Sequence, residues 1–171
     1  MSSAEGSAAR AVVVLIGAPG AGKSRTGKRL ARLLDLPLID TDSRIVAGHG
    51  PIPAIFERDG EPHFRALERA AVAQALSERA VVSVGGGAVL DPDTQADLAD
   101  HRVVQLTISP EAFAERMTAG KRPLVTSIDS WRALVQARQA TYDRLSGLTI
   151  DTSRQPLERV ARQIADWLET P

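Results

Sequence analysis

Apolar runs of strand length alternate along this chain with stretches whose apolar residues recur at helical spacing. Residues 11–16 read A-V-V-V-L-I without a polar position, and Val81-Val82-Ser83-Val84 is nearly as apolar. Unbroken runs of this kind mark strands buried on both faces, whereas a half-exposed strand would alternate. Strands are predicted at 11–16, 36–40, 80–84, 102–108 and 148–151, separated by helical patterns. The expected fold class is therefore α/β: a five-stranded parallel sheet flanked by helices on both faces, a three-layer sandwich.

The first helix is predicted over 22–34, with Leu30, Leu33 and Leu34 on its buried side. Asp91-Pro92 and Ser109-Pro110 each pair an N-cap with proline at the first helical position, so helices should start there. The last helix, over 156–168, puts Val160, Ile164, Trp167 and Leu168 at helical spacing, with Trp167 expected in the core. Two stretches break the alternation. Residues 42–76 carry Gly48, Gly50, Pro51, Pro53, Gly60 and Pro62 before an Ala/Glu/Arg-rich helix, and read as a helical insertion over the sheet edge. A second, about 119–130, holds Gly120-Lys121-Arg122-Pro123 between helices and is a candidate mobile lid. Residues 1–9, rich in Ser, Ala and Gly, read as a disordered leader, leaving 10–171 as a single domain.

Chemistry enters with Gly17-Ala18-Pro19-Gly20-Ala21-Gly22-Lys23-Ser24, which follows the first apolar run and fits G-x-x-x-x-G-K-[ST] without a mismatch. Glycines there let backbone N–H groups wrap a polyphosphate, Lys23 reaches the outer phosphates, and the Ser24 hydroxyl can hold Mg²⁺ at a helix N-terminus. The alternative, a Gly-rich turn from strand to helix, needs none of the lysine and serine. Composition narrows the classes further. The chain has 171 residues, 43% hydrophobic and 25% charged, with Lys+Arg and Asp+Glu both 21, so no net field argues for nucleic acid or a membrane surface. Without cysteine there is no disulfide framework, thiolate metal site or cysteine nucleophile, and a cytoplasmic setting suits the chain. No apolar run approaches the ~20 residues of a spanning helix. His49, His63 and His101 lack ligand spacing and read as surface or structural.

Asp40 and Asp42 stand at the carboxyl end of the second predicted strand, where open α/β sheets bind ligands. A turn there would splay them, one carboxylate toward a metal and the other toward a substrate; the alternative is that Asp42 only caps a helix beginning near Ser43. The third predicted strand empties into Gly85-Gly86-Gly87, where no side chain keeps a ligand from the backbone. Three consecutive glycines cost more conformational entropy than a simple turn requires, which favours ligand contact over a flexible loop. With 18 arginines against three lysines, position must select among cations. Arg122 in the candidate lid suits a group that swings over phosphates, and Arg65 and Arg138 could grip a carboxylate bidentately.

Gly17 to Ser24, Asp40-Thr41-Asp42, Ile55-Phe56 to Gly60-Glu61 with Phe64-Arg65, Gly85-Gly86-Gly87, Arg122-Pro123-Leu124, and Arg138 with Tyr142 follow one another in an order that resembles shikimate kinase. The phosphate loop is common to many NTPases; the ordered set is far more specific, and it covers essentially all of the chain beyond the leader. The resemblance implies a nucleoside-monophosphate-kinase-like fold and transfer of the ATP γ-phosphoryl group to the 3-hydroxyl of shikimate, in the pathway to chorismate and aromatic amino acids. It further implies that the loop backbone (Gly20, Ala21, Gly22, Lys23, Ser24, Arg25) binds ATP, that Ser24 ligates Mg²⁺, and that Asp40 holds it through water. Asp42 would contact the shikimate hydroxyls, Arg65 and Arg138 its carboxylate, and Gly85, Gly86 and Gly87 would close over the ring. Lys23, Asp42 and Arg122 would be the catalytic set, with Arg116 and Arg154 toward adenine. The implied enzyme is a cytoplasmic monomer with a small-molecule substrate and no nucleic-acid or membrane partner. Two departures touch lid packing and adenine contacts: R-P-L-V in place of a second leucine, and Met117 ahead of Thr118. A gluconate kinase on the same scaffold would have no use for two arginines facing a ring carboxylate. A nucleotide-binding regulatory module would need none of the acceptor-side residues.

Overall fold

A computed structural model describes residues 9–119 and 127–171. Lys121, Arg122 and most of the candidate lid lie outside the described residues, as does most of the candidate leader.

The sheet has five strands, β1 (Val13–Gly17), β2 (Leu38–Asp40), β3 (Val81–Ser83), β4 (Val103–Thr107) and β5 (Leu148–Asp151), in the order β2-β3-β1-β4-β5. Every pairing is parallel, with Val14 opposite both Val82 and Val103. The strand count and class are as the apolar runs predicted, with the first four strands differing by one or two residues at their ends. Alternation along β1 divides the core. Val13 and Leu15 face one side, with Val81, Val104 and Leu106, under α1 (Lys23–Leu34), α6 (Pro110–Ala119) and α8 (Leu157–Leu168). Val14 and Ile16 face the other, with Val82 and Val84, under α4 (Glu61–Leu76), α5 (Pro92–Leu98) and α7 (Ile128–Leu145).

The predicted insertion folds as α2 (Thr41–His49), α3 (Ile52–Asp59) and α4. Ile45, Ile55 and Phe64 form a small apolar cluster of their own there, and Val72 and Leu76 tie α4 back to the sheet. Asp91 caps α5 by accepting from the Asp93 and Thr94 amides, at 2.8 and 3.1 Å. Ser109 Oγ accepts from the Ala112 amide at 3.2 Å at the start of α6, so both Asp/Ser-Pro signals mark helix starts. One expectation fails. Leu33 is 44% exposed, because the buried stripe of α1 runs through Thr26, Gly27, Leu30 and Ala31, and Leu33 lies roughly a quarter-turn off its centre. Trp167 is only partly buried: it packs on the core with one face, and the Arg102 guanidinium sits 4.1 Å from its ring centroid.

Gly17 closes β1 with φ +142°, and a Cβ there would lie 2.2 Å from the Leu106 carbonyl oxygen. Backbone strain and a backbone clash then add. Gly17→Ala is expected to cost about 3 kcal/mol or more in urea unfolding; a loss under about 1 kcal/mol would show that the loop exit can shift.

Candidate active site

The connections leave β1 and β3 in opposite directions across the sheet, opening a crevice at their carboxyl ends. Into it empty the phosphate loop after β1, Asp40-Thr41-Asp42 after β2 and the triple glycine after β3. Gly22 precedes α1 in the left-handed region (φ 89°), no side chain caps this helix, and its first turn holds no acidic residue. Asp40 caps α2, Asp91 caps α5 and Ser127 caps α7. The helices α3, α4 and α8 lack a side-chain cap as α1 does, but none of these three follows a glycine-rich loop at the crevice. The α1 N-terminus thus keeps its N–H groups and positive dipole end for an external anion. Lys23 Nζ donates to the Gly17 and Ala18 carbonyls at 2.7 and 3.1 Å, folded back along the loop it follows.

Three groups from elsewhere in the chain brace the loop. Arg116 donates to Gly20 O (2.7 Å) and Thr152 O (3.0 Å), and the buried Thr152 hydroxyl donates to Ala21 O (2.8 Å). Trp131, at the start of α7, donates from its indole nitrogen to Pro19 O (2.8 Å) and stacks on Phe113, ring centroids 4.5 Å apart. Phe113 in turn fills the space a Cβ on Gly20 would need, 2.7 Å away. Arg25 and Arg154 are exposed, the latter in the turn after β5.

Asp40 hydrogen-bonds Ser24 Oγ with one carboxylate oxygen and accepts from the Ser43 amide at 3.1 Å with the other. It is therefore Asp40, not Asp42, that caps α2, which leaves Asp42 in the first helical turn with its carboxylate turned to the crevice floor. Burial, with Asp40 beside it, holds the Asp42 carboxyl above the ordinary aspartate range; Lys23 and Arg65 pull in the opposite direction.

Each of the three glycines faces charged side chains, and Gly85 faces two, with Glu68 Oε2 at 3.2 Å from its Cβ position beside Asp42. A Cβ on Gly85 would meet Asp42 Oδ1 at 2.8 Å, one on Gly86 would meet Arg138 Nη1 at 3.1 Å, and one on Gly87 would meet Arg65 Nη1 at 2.7 Å. The sequence is glycine here because two carboxylates, Asp42 and Glu68, and two guanidiniums converge on this turn. Sequence reasoning passed over Glu68, which is 4% exposed and accepts from Arg65 Nη1 at 2.8 Å. Burial raises its pKa first, against the hydrogen bond from Arg65. Its signal was the spacing Glu61, Arg65, Glu68 along one helix, an i+4 and i+3 ladder that holds the arginine from both sides. Thr152 and Trp131 carried no local signal, because their loop contacts span 131 and 112 residues of sequence.

A Gly-rich anion cradle, a Ser–Asp pair and a carboxylate flanked by two arginines together fit phosphoryl transfer to a hydroxyl of a small anionic acceptor. The shikimate kinase family model matches residues 19–169. The chain belongs to the shikimate kinase family. It is 44% identical to a shikimate kinase of Thermobifida fusca over 164 residues, covering 93% of this chain and 95% of that one. A shikimate kinase of Mycobacterium tuberculosis is 42% identical over 165 residues, with 92% and 93% covered. Among solved structures, shikimate kinase from Acinetobacter baumannii, in complex with shikimate, superposes with a TM-score of 0.86 at 30% identity, covering 94% and 93%. As a shikimate kinase, the enzyme phosphorylates shikimate in an ATP-dependent step of the pathway to aromatic amino acids. Neither a gluconate kinase nor a regulatory module that has lost catalysis fits that membership.

Proposed function

We propose that this chain transfers the γ-phosphoryl group of ATP to the 3-hydroxyl of shikimate, with a division of labour set by the crevice. The observation that carries the assignment is the convergence of Asp42, Arg138 and Arg65 on Gly85, Gly86 and Gly87, next to an uncapped phosphate-loop helix. The loop amides of Gly20, Ala21, Gly22, Lys23, Ser24 and Arg25 cradle the phosphates, and Lys23 leaves its carbonyl partners for the outer oxygens. Arg116, already braced on the loop, and Arg154 flank the adenine. Arg65 and Arg138 grip the shikimate carboxylate, and Arg122 from the lid covers the transferring group.

Ser24 Oγ and the Asp40 carboxylate suit Mg²⁺: both are hard oxygens, they touch each other, and this ion is typically held by one or two protein oxygens together with water and phosphate. Bound there, Mg²⁺ would neutralise charge on the phosphates. Asp42 orients the attacking hydroxyl and takes its proton late, since phosphoryl transfer through a loose transition state asks for positioning and cations more than for a strong base. All the side chains assigned come from one chain, which supports a monomer as the working unit, placed in the cytoplasm. None of the helices among the described residues is long and apolar enough to cross a membrane.

The direct test is ADP release from Mg-ATP with shikimate, gluconate, a hexose or a nucleoside monophosphate. Turnover is expected with shikimate alone, with phosphorus NMR placing the new ester at the 3-position. Turnover with another acceptor would discard the carboxylate clamp, and an ester at a different hydroxyl would discard the placing of Asp42.

A further inference from the structure

Tyr142, which accompanies Arg138 in the family resemblance, has no role assigned above. It is the only tyrosine of the chain. It stands in α7 one turn after Arg138, is 1% exposed, and packs in the apolar layer with Val84, Val89 and Leu145. Its hydroxyl donates to the Gly86 carbonyl at 2.8 Å. A Cβ on Gly86 would find Arg138 Nη1 and Tyr142 Oη at 3.1 and 3.5 Å, so the guanidinium and the hydroxyl meet at the same glycine. Burial keeps the phenol protonated, and the neighbouring Arg138 charge only partly offsets this, so Tyr142 remains a donor at working pH.

The carbonyl of Gly86 and the amide N–H of Gly87 belong to one planar trans peptide and point in opposite directions. A hydrogen bond that pins the carbonyl toward the core therefore turns the Gly87 N–H away from it. That N–H donates to no group among the described residues. A glycine peptide has few steric restraints of its own, so without the bond it would sample several orientations.

We propose that Tyr142 is a positioning residue for the acceptor: its hydroxyl fixes the Gly86–Gly87 peptide and seats the Arg138 guanidinium, so that an amide donor and a cation present themselves to shikimate together. The inference rests on the clamp role given to Arg138 above. Pro19 of the phosphate loop also reaches this point, its Cδ 3.5 Å from the same Cβ position on Gly86, but the hydrogen bond of the Tyr142 hydroxyl goes to Gly86, so its influence is expected on acceptor binding.

The experiment is a double-mutant cycle of Tyr142→Phe and Arg138→Ala, reading KM for shikimate, KM for ATP, kcat and melting temperature. Tyr142→Phe is expected to raise the shikimate KM about tenfold, with kcat and the ATP KM within about twofold. In the Arg138→Ala background the same change should have a markedly smaller effect, since the two act through a shared partner. An unchanged shikimate KM in folded Tyr142→Phe, or equal rises in both KM values, would overturn the inference. No effect of Arg138→Ala would instead overturn the clamp itself. Should Tyr142→Phe fail to fold, the unmutated chain grown on 3-fluorotyrosine carries a single ¹⁹F resonance. That resonance must shift when shikimate is added to the ADP complex, and a resonance that stays put overturns the proposal.

Discussion

Asp42→Asn is expected to lower turnover by about two to four orders of magnitude while leaving ATP affinity nearly intact. The carboxylate sits in the crevice beside Gly85 and none of the described loop amides donates to it, and asparagine keeps its shape while losing its ability to take a proton. The raised pKa adds a second readout. Ionised Asp42 is the form that can accept the proton, so kcat/KM should rise with pH through a value above the ordinary 3.8, and the variant should lose that limb. Stability runs the other way. A carboxyl whose folded pKa lies above its unfolded one binds the extra proton in the folded state, so its contribution is complete below the ordinary value and is lost as pH rises through the raised one. The asparagine variant escapes that loss. At neutral pH the unliganded variant should therefore melt at or above the wild type while turning over far more slowly. Near-normal turnover would remove Asp42 from the chemistry, and a lower melting temperature would mean that asparagine disturbs the crevice.

Arg138→Ala should weaken shikimate binding by about 2–5 kcal/mol, with ATP binding unaffected, as measured by titration calorimetry in the presence of ADP. Arg138→Lys should recover only part of the loss, because an ammonium keeps the charge without the planar fork that matches a carboxylate. Arg65→Ala is expected to match it in binding but to differ in stability. Removing this guanidinium leaves the buried Glu68 carboxylate without its 2.8 Å partner, and breaking such a pair costs about 3–5 kcal/mol when both ions are buried. Arg65 is 35% exposed on its side chain, so the cost here should fall below that range. A shikimate methyl ester provides the control. If the arginines read the carboxylate, the ester should bind poorly to the wild type and lose little more in either variant. Equal affinity of acid and ester for the wild type would end the clamp assignment.

Legibility divided according to how far apart in sequence the interacting groups lie. The phosphate loop was readable because each of its needs, glycines for close approach, lysine for phosphate and serine at the helix start, is met within eight consecutive residues. The triple glycine was readable as a place of close approach, though not what approaches: Asp42, Arg65 and Arg138 reach it from three different helices, α2, α4 and α7. Only the family resemblance gave Asp40 and Asp42 different roles; spacing singled them out without telling them apart, since an Asx cap depends on which residue first takes helical dihedrals. The register of β2 beside β3 settles that, with Asp40 opposite Ser83 and the chain turning into α2 at Thr41. Leu33 was misplaced because spacing gives the direction of a helix face but not the width of the groove that receives it.

The class of this protein and its order of elements follow from local sequence pattern. Doubly buried strands need unbroken apolar runs, and a nucleotide loop needs a short, contiguous set of residue types. Tertiary contacts were needed to show which carboxylate caps α2 and which turns into the crevice, what holds Arg65, and how Thr152, Trp131 and Tyr142 fix backbone carbonyls from across the fold. Those hydrogen bonds join groups 56 to 131 residues apart, and no local pattern encodes them, because a side chain that reaches a distant carbonyl looks in sequence like any other residue of the core.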